Sequence, residues 1–160
     1  MKGNDIKMKF LERLYLSNPN NLAFTDLQTG CKNRNWLEYY KPKLQKKSGY
    51  IILTDINNLK KMNDNYGHSM GDRLICAFAD LFLKIYHKKN EYVVRIGGDE
   101  FLIFTNREGL TDNFVAMSNA HFSYGIAYKT KDDDIDSVIR RADIEMYKMK
   151  LKVHQSEQQQ

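Results

Sequence analysis

The 160-residue chain is short of several features that mark specialised classes of protein, and each shortage excludes something. It has two cysteines, Cys31 and Cys76, with none of the close spacing that metal-binding cysteines show. Both are expected to be reduced, structural thiols. No stretch approaches the roughly 18 apolar residues of a membrane span, and the N-terminus lacks the apolar core of a signal peptide. A cytoplasmic protein without membrane association is therefore expected. A continuous basic run is also missing. The net charge is +5 and the pI near 9.1, but the cations are scattered in pairs such as Lys46-Lys47, Lys60-Lys61, Lys88-Lys89 and Arg140-Arg141. That pattern makes a phosphate-rich small ligand as plausible as a polymer; the partner expected is a small molecule, with no nucleic acid.

What is present is ample core material. At 42% apolar, the chain fits one globular domain. Its most informative stretch is Val93 to Phe104, VVRIGGDEFLIF, in which two apolar runs flank Gly97-Gly98-Asp99-Glu100. The pattern predicts a β-hairpin whose turn carries two adjacent carboxylates. Gly97 and Gly98 permit positive φ and leave room for a phosphorylated ligand to approach the backbone.

Taken in order, Ile6, Phe10, Leu11 and Leu14 recur at helical spacing, so a short amphipathic helix is expected up to Leu16, ended by Pro19 and the asparagines around it. Asp26 to Arg34 should form a structured wide turn, because Asp26, Thr29 and Asn33 can bond nearby backbone and Gly30 permits a reversal. Trp36, Leu37, Tyr40 and Leu44 mark a helix that Pro42 should kink or shorten. Tyr50 to Ile56 is a continuous apolar run and reads as a central buried strand ending in Asp55. A carboxylate there is either capped by backbone amides or bound to a metal, and Asp99 is the natural second acid if the strands are neighbours.

Asn63 and Asp72 offer an amide and a carboxylate that could read the Watson–Crick edge of guanine, or could simply cap helices. His68 lacks catalytic companions and reads as a packing residue. Leu74 to Ile85 forms an apolar helix covering one sheet face. A short helix near Asp112–Met117, a strand over His121–Ala127 and a last helix from Ile135 through Met149 follow. Asp132-Asp133-Asp134 suits the N-terminus of that helix better than a metal site. Lys148, Lys150 and Lys152 suit its C-terminal dipole or a triphosphate, and 153–160 should be a disordered polar tail. The result is an α+β domain with an antiparallel βαββαβ sheet and helices on one face.

With these stretches laid out, the chain resembles the GGDEF family of diguanylate cyclases. Arg95 to Phe101 resembles the family signature, and Asp26 to Arg34 is similar to DxLTGLxNR, with Gln28 and Cys31 where leucines are usual. Asp55 to Asp64 resembles DxDxFKxxND, Tyr66 to Asp72 matches YGHxxGD, Ser123 to Ala127 resembles SxGIA, and Ala142 to Lys150 resembles ADxAxYxAK. The resemblance implies a palm-like, ferredoxin-like fold over residues 24–152, preceded by a short helix and loop at 1–23. It implies an enzyme that joins two GTP into cyclic di-GMP with release of pyrophosphate.

By the same resemblance, Asp55, the carbonyl of Ile56 and Asp99 would hold Mg²⁺ or Mn²⁺, and Glu100 would assist at the metal or the 3′-hydroxyl. Gly97 and Gly98 would admit the nucleotide; Asn58, Leu59, Lys60 and Lys150 would hold phosphates; Asn63 and Asp72 would read guanine. A homodimer would be needed, since each half-site binds one GTP. Departures stand out. Asn57 replaces a second acid, Lys88 and Glu91 occupy the positions of the RxxD inhibitory pair, His154 replaces a frequent arginine, and the segment between Phe101 and Ser123 is short. Control by a fused sensor is not expected. The alternative is a catalytically weak GTP-binding or interaction module; a related cyclase for another base is disfavoured by Asn63 and Asp72.

Overall fold

In a computed structural model the described residues are 22–109 and 121–157, so the expected helix before Leu16 and the one near Asp112–Met117 lie outside them. The elements are β1 (Lys32–Asn33), α1 (Arg34–Gln45), β2 (Gly49–Ile56), α2 (Leu59–Tyr66), α3 (His68–Ile85), β3 (Tyr92–Arg95), β4 (Glu100–Thr105), β5 (Phe122–Lys129) and α4 (Ile135–Glu157). The strands form one sheet in the order β1-β3-β4-β2-β5. The pairs of β2 with β4 and β5, and of β3 with β4, are antiparallel, but β1 runs parallel to β3, so the sheet is mixed.

The helices cover both faces rather than one. Ile52 and Ile56 of β2 join Phe101, Ile103 and Phe122 under Ile75, Phe78, Ala79 and Phe82 of α3. Ile51 and Leu53 turn the other way, joining Leu102 and Phe104 against Trp36, Leu37 and Leu44 of α1 and Val138, Ala142 and Met146 of α4. Successive side chains of a strand point to opposite faces, so a run apolar at every position requires a cover on each side. This is the expected α+β domain, with one more helical layer than expected.

Three local expectations change. Helix α1 continues through Pro42 to Gln45. Helix α4 continues to Glu157, so residues 153–157 are helical rather than disordered. His68 opens α3 with an exposed side chain and is not a packing residue. The wide turn forms as expected: Asp26 accepts from the Thr29 amide and hydroxyl at 2.9 and 2.6 Å, Gly30 has φ of 77°, and Asn33 caps α1 through the Trp36 amide. The acidic run caps α4, with Asp134 accepting from the Ser137 amide at 2.9 Å.

Two features fix how α1 and α4 lie on the sheet. Lys129 is fully buried, and its ammonium donates to the carbonyls of Gln45, Lys47 and Thr130 at 2.8, 3.3 and 2.7 Å. It thereby closes the C-terminal end of α1 against β5, and three acceptors offset its desolvation. Gly125 provides the close approach: a β-carbon there would collide with the Ala142 carbonyl oxygen and the Met146 amide nitrogen, both helix backbone. Gly125→Ala is therefore expected to destabilise the fold by about 3 kcal/mol, as overpacking against unyielding backbone does. Gly98→Ala, where a β-carbon meets nothing within 4 Å, should change stability by less than about 0.5 kcal/mol. Urea unfolding of the two variants checks the contrast.

Candidate active site

The site lies where β2 leaves the sheet. Asp55 pairs directly with Glu100 across the β2–β4 ladder, which puts both side chains on the face covered by α4. Asp99 is the last residue of the turn, and its carbonyl accepts from the Ile56 amide at 3.2 Å. The turn is Ile96 to Asp99, since Glu100 already belongs to β4 and its carbonyl accepts from the Ile96 amide at 3.0 Å. Three carboxylates are thus gathered at one strand end by ladder register and a tight connection.

Asp55 is only 5% exposed. One carboxylate oxygen accepts from the Lys150 ammonium at 2.8 Å; the other is buried without a hydrogen-bond partner. Burial pushes the Asp55 carboxyl above its ordinary range; Lys150 opposes the shift and the Asp99 charge adds to it. Glu100 is raised as well, first by burial, then by the charges of Asp55 and Asp99. Crowded acids at a strand end favour a cation or a proton, and Lys150, reaching over from α4, supplies the positive charge.

An open cleft of about 430 Å³ adjoins these acids, lined by Ile56, Asn58, Leu59, Lys60, Lys61, Asp64, Asn65, Asp99, Lys150 and His154. Its size falls within the ordinary range of small-molecule sites. Asn58 holds a left-handed conformation with φ of 59° and starts α2, so the amides after it stand at a helix N-terminus, where anions are favoured. The structure brings Asn58, Leu59, Lys60, Ile56, Asp99 and Lys150 to one cleft. His154 joins them because α4 continues past Lys150.

Asn63 and Asp72 lie outside that lining. The packing of α2 on α3 sets Asn63 against Gly71, the neighbour of Asp72 in the chain, where a β-carbon would collide with the Asn63 side-chain oxygen. Gly97 and Gly98 are also outside it, and neither has positive φ. Only at Gly97 does the missing side chain matter for space, since a β-carbon there would strike the Glu100 carboxylate while one on Gly98 meets nothing within 4 Å. Sequence reasoning gave no role to Arg95 or Gln28. The Arg95 guanidinium donates to the carbonyls of Gly97 and Gly98, to Asp26 and to the Gln28 carbonyl oxygen, tying the turn to the wide turn. The Gln28 amide in turn donates to Asp72 at 2.8 Å. The only signal in the sequence was Gln28 itself, a polar residue where leucine is usual. Cys31 is no nucleophile, since burial pushes its thiol up to about 12.

Compared with known proteins, residues 23–118 match the family model described as diguanylate cyclase, GGDEF domain. The chain belongs to the GGDEF family. It is 29% identical over 148 residues to the diguanylate cyclase DgcS of Shewanella oneidensis, covering 80% of this chain and 50% of that protein. It is also 29% identical over 153 residues to the cyclic di-GMP phosphodiesterase PdeR of Escherichia coli K12, covering 81% of this chain and 23% of that one. Among solved structures, a microbial GGDEF domain studied for its interaction with cyclic di-GMP superposes with a TM-score of 0.70 at 26% identity, covering 81% of this chain and 94% of that one. The chain spans half or less of the length of these two curated relatives. No helix among the described residues is long and apolar enough to cross a membrane.

The positions of the RxxD pair carry Lys88 and Glu91. Glu91 is buried, and its carboxylate accepts from the Lys88 amide at 2.9 Å, the Thr105 hydroxyl at 2.8 Å and the Arg107 guanidinium. Burial pushes this carboxyl up, but those donors outweigh it and hold it below its ordinary range. A depressed carboxylate stabilises the fold above the unfolded pKa, and that stability is lost as the pH falls through the folded value. Glu91→Gln should therefore cost about 2 kcal/mol at pH 7, with the difference from the parent shrinking below about pH 4. Denaturant titrations at the two pH values check it.

Proposed function

We propose that this chain is a diguanylate cyclase that condenses two GTP into cyclic di-GMP and two pyrophosphates at the interface of two copies. The cleft that joins Asp99 to Asn58, Leu59, Lys60 and Lys150 carries the reading, because it places acids and phosphate-binding groups side by side. In each of two equivalent steps, a 3′-oxygen of one GTP bonds to the α-phosphorus of the other. The bond to the leaving pyrophosphate breaks, and the hydroxyl proton passes to a base. Glu100, raised by burial and by its acidic neighbours, is suited to take that proton.

The donor set fits Mg²⁺ or Mn²⁺. Asp55 keeps one buried oxygen without a hydrogen-bond partner, beside Asp99 and at the end of the strand that carries Ile56. Asp55, Asp99 and the Ile56 carbonyl would hold the cation, which supplies charge neutralisation at the α-phosphate and the attacking oxygen. The Lys60 and Lys150 ammonium groups and the amides opening α2 orient the triphosphate, and Asn63 with Asp72 hold guanine. One cleft presents a single 3′-hydroxyl, so a second copy must supply the other nucleotide.

A second reading, GTP binding without turnover, is supported by Asn57. This residue is buried and accepts from the Ser123 hydroxyl at 2.7 Å where the family usually has an acid, so no carboxylate is available there. Incubation with GTP and Mg²⁺ followed by mass spectrometry separates the two readings. Cyclic di-GMP is expected, at a rate per chain that rises with protein concentration, and Asp99→Asn should lower it at least about a hundredfold. Folded protein that binds GTP yet yields no product at high concentration would establish the second reading. Because Glu91 is spent on Arg107 and Thr105, added cyclic di-GMP should not act through the Lys88–Glu91 position; Lys88→Ala is expected to leave any product inhibition unchanged.

A further inference from the structure

Gln28 lies between the two halves of the proposed site. Its backbone carbonyl accepts from the Cys76 thiol at 3.4 Å, and its side-chain carbonyl accepts from Arg95 at 2.6 Å. With the carbonyl end fixed by a guanidinium, the amide end must face the other way, where it donates to Asp72 at 2.8 Å. Asp72 and Cys76 stand one turn apart on α3, so a single helix face holds both the backbone and the side chain of Gln28. Arg95 is itself fixed by Asp26 and by the carbonyls of Gly97 and Gly98. The contact is a built one, anchored at both ends of the glutamine.

We propose that Gln28 is a specificity-determining stopper of the base site: its amide occupies Asp72 in the manner of a guanine edge, and a nucleotide base must displace it to bind. This rests on the reading of Asp72 as a guanine-binding residue. The chemistry is that of like for like. Guanine presents N–H donors at N1 and N2, and a carboxylate accepts them as it accepts the carboxamide N–H of Gln28. Adenine has an acceptor at N1 where guanine has a donor, so it cannot make guanine's paired contact to Asp72 and gains little by displacing Gln28. The stopper lowers guanine affinity and leaves adenine affinity alone, which means the chain is less selective than its Asn63–Asp72 pair permits. Leucine at this position makes no bond to Asp72, and the carboxylate then stands open to the base.

The test is calorimetric titration of the full chain with α,β-methylene analogues of GTP and ATP, which bind but cannot be joined. Gln28→Leu, and Gln28→Ala as a variant that adds no bulk, are expected to bind the guanine analogue about fivefold more tightly, equivalent to about 1 kcal/mol, with adenine affinity unchanged. Unchanged or weaker guanine affinity in both variants would overturn the stopper, as would an equal gain for adenine. Asp72→Asn and Asn63→Ala keep the two readings apart. If either weakens guanine binding while the Gln28 variants gain nothing, the base site stands and the stopper falls. If neither matters, or no variant binds the guanine analogue, the base site falls and the stopper with it.

Discussion

Strand β2 is hydrogen-bonded along both edges and covered on both faces, and the rest of the molecule is set by that constraint. Its alternate residues assign α3 to one side and α1 with α4 to the other, while its ladder with β4 fixes Asp55 opposite Glu100. A one-residue slip would send Asp55 into the aromatic cluster under α3 and exchange the apolar residues packed beneath α3 with those beneath α4. The same register that forms the core therefore forms the acidic site. Asp55 and Glu100 are therefore set by strand pairing, while Asp99 is set by the turn that this pairing holds in place.

The acids at the strand end are held at an energetic cost. Asp55 is desolvated, keeps one oxygen without a hydrogen bond and relies on Lys150 for its opposing charge. Lys150 belongs to α4, whose position is fixed by the Gly125 contact and whose neighbour α1 is tied to β5 by buried Lys129. Packing far from the cleft thus decides where the ammonium falls.

Much of this was legible in the sequence, for identifiable reasons. The run Tyr50–Ile56 and the periodic apolar residues of α3 and α4 are long enough for spacing to reveal them, and the hairpin is announced by two apolar arms around two glycines. The need for a helical layer on each face was also legible in a strand apolar at every position, but which helix covers which face was not. The extension of α4 through Val153–Glu157 was hidden by polar composition, since exposed helix needs no apolar stripe there. Pro42 does not end α1, which runs on for three more residues. The link from Gln28 to Asp72 joins residues 44 apart in the chain, and no local pattern can display such a contact.

Glu91 illustrates how a motif can keep its place while changing its use. Its carboxylate is buried and shared among an arginine, a threonine and a backbone amide, so it braces the loop between α3 and β3 instead of facing solvent. On the proposed reading, cyclic di-GMP would find no accessible carboxylate at that position. The cellular ceiling on its messenger would then have to come from elsewhere, from the enzymes that destroy it or from how seldom two copies meet.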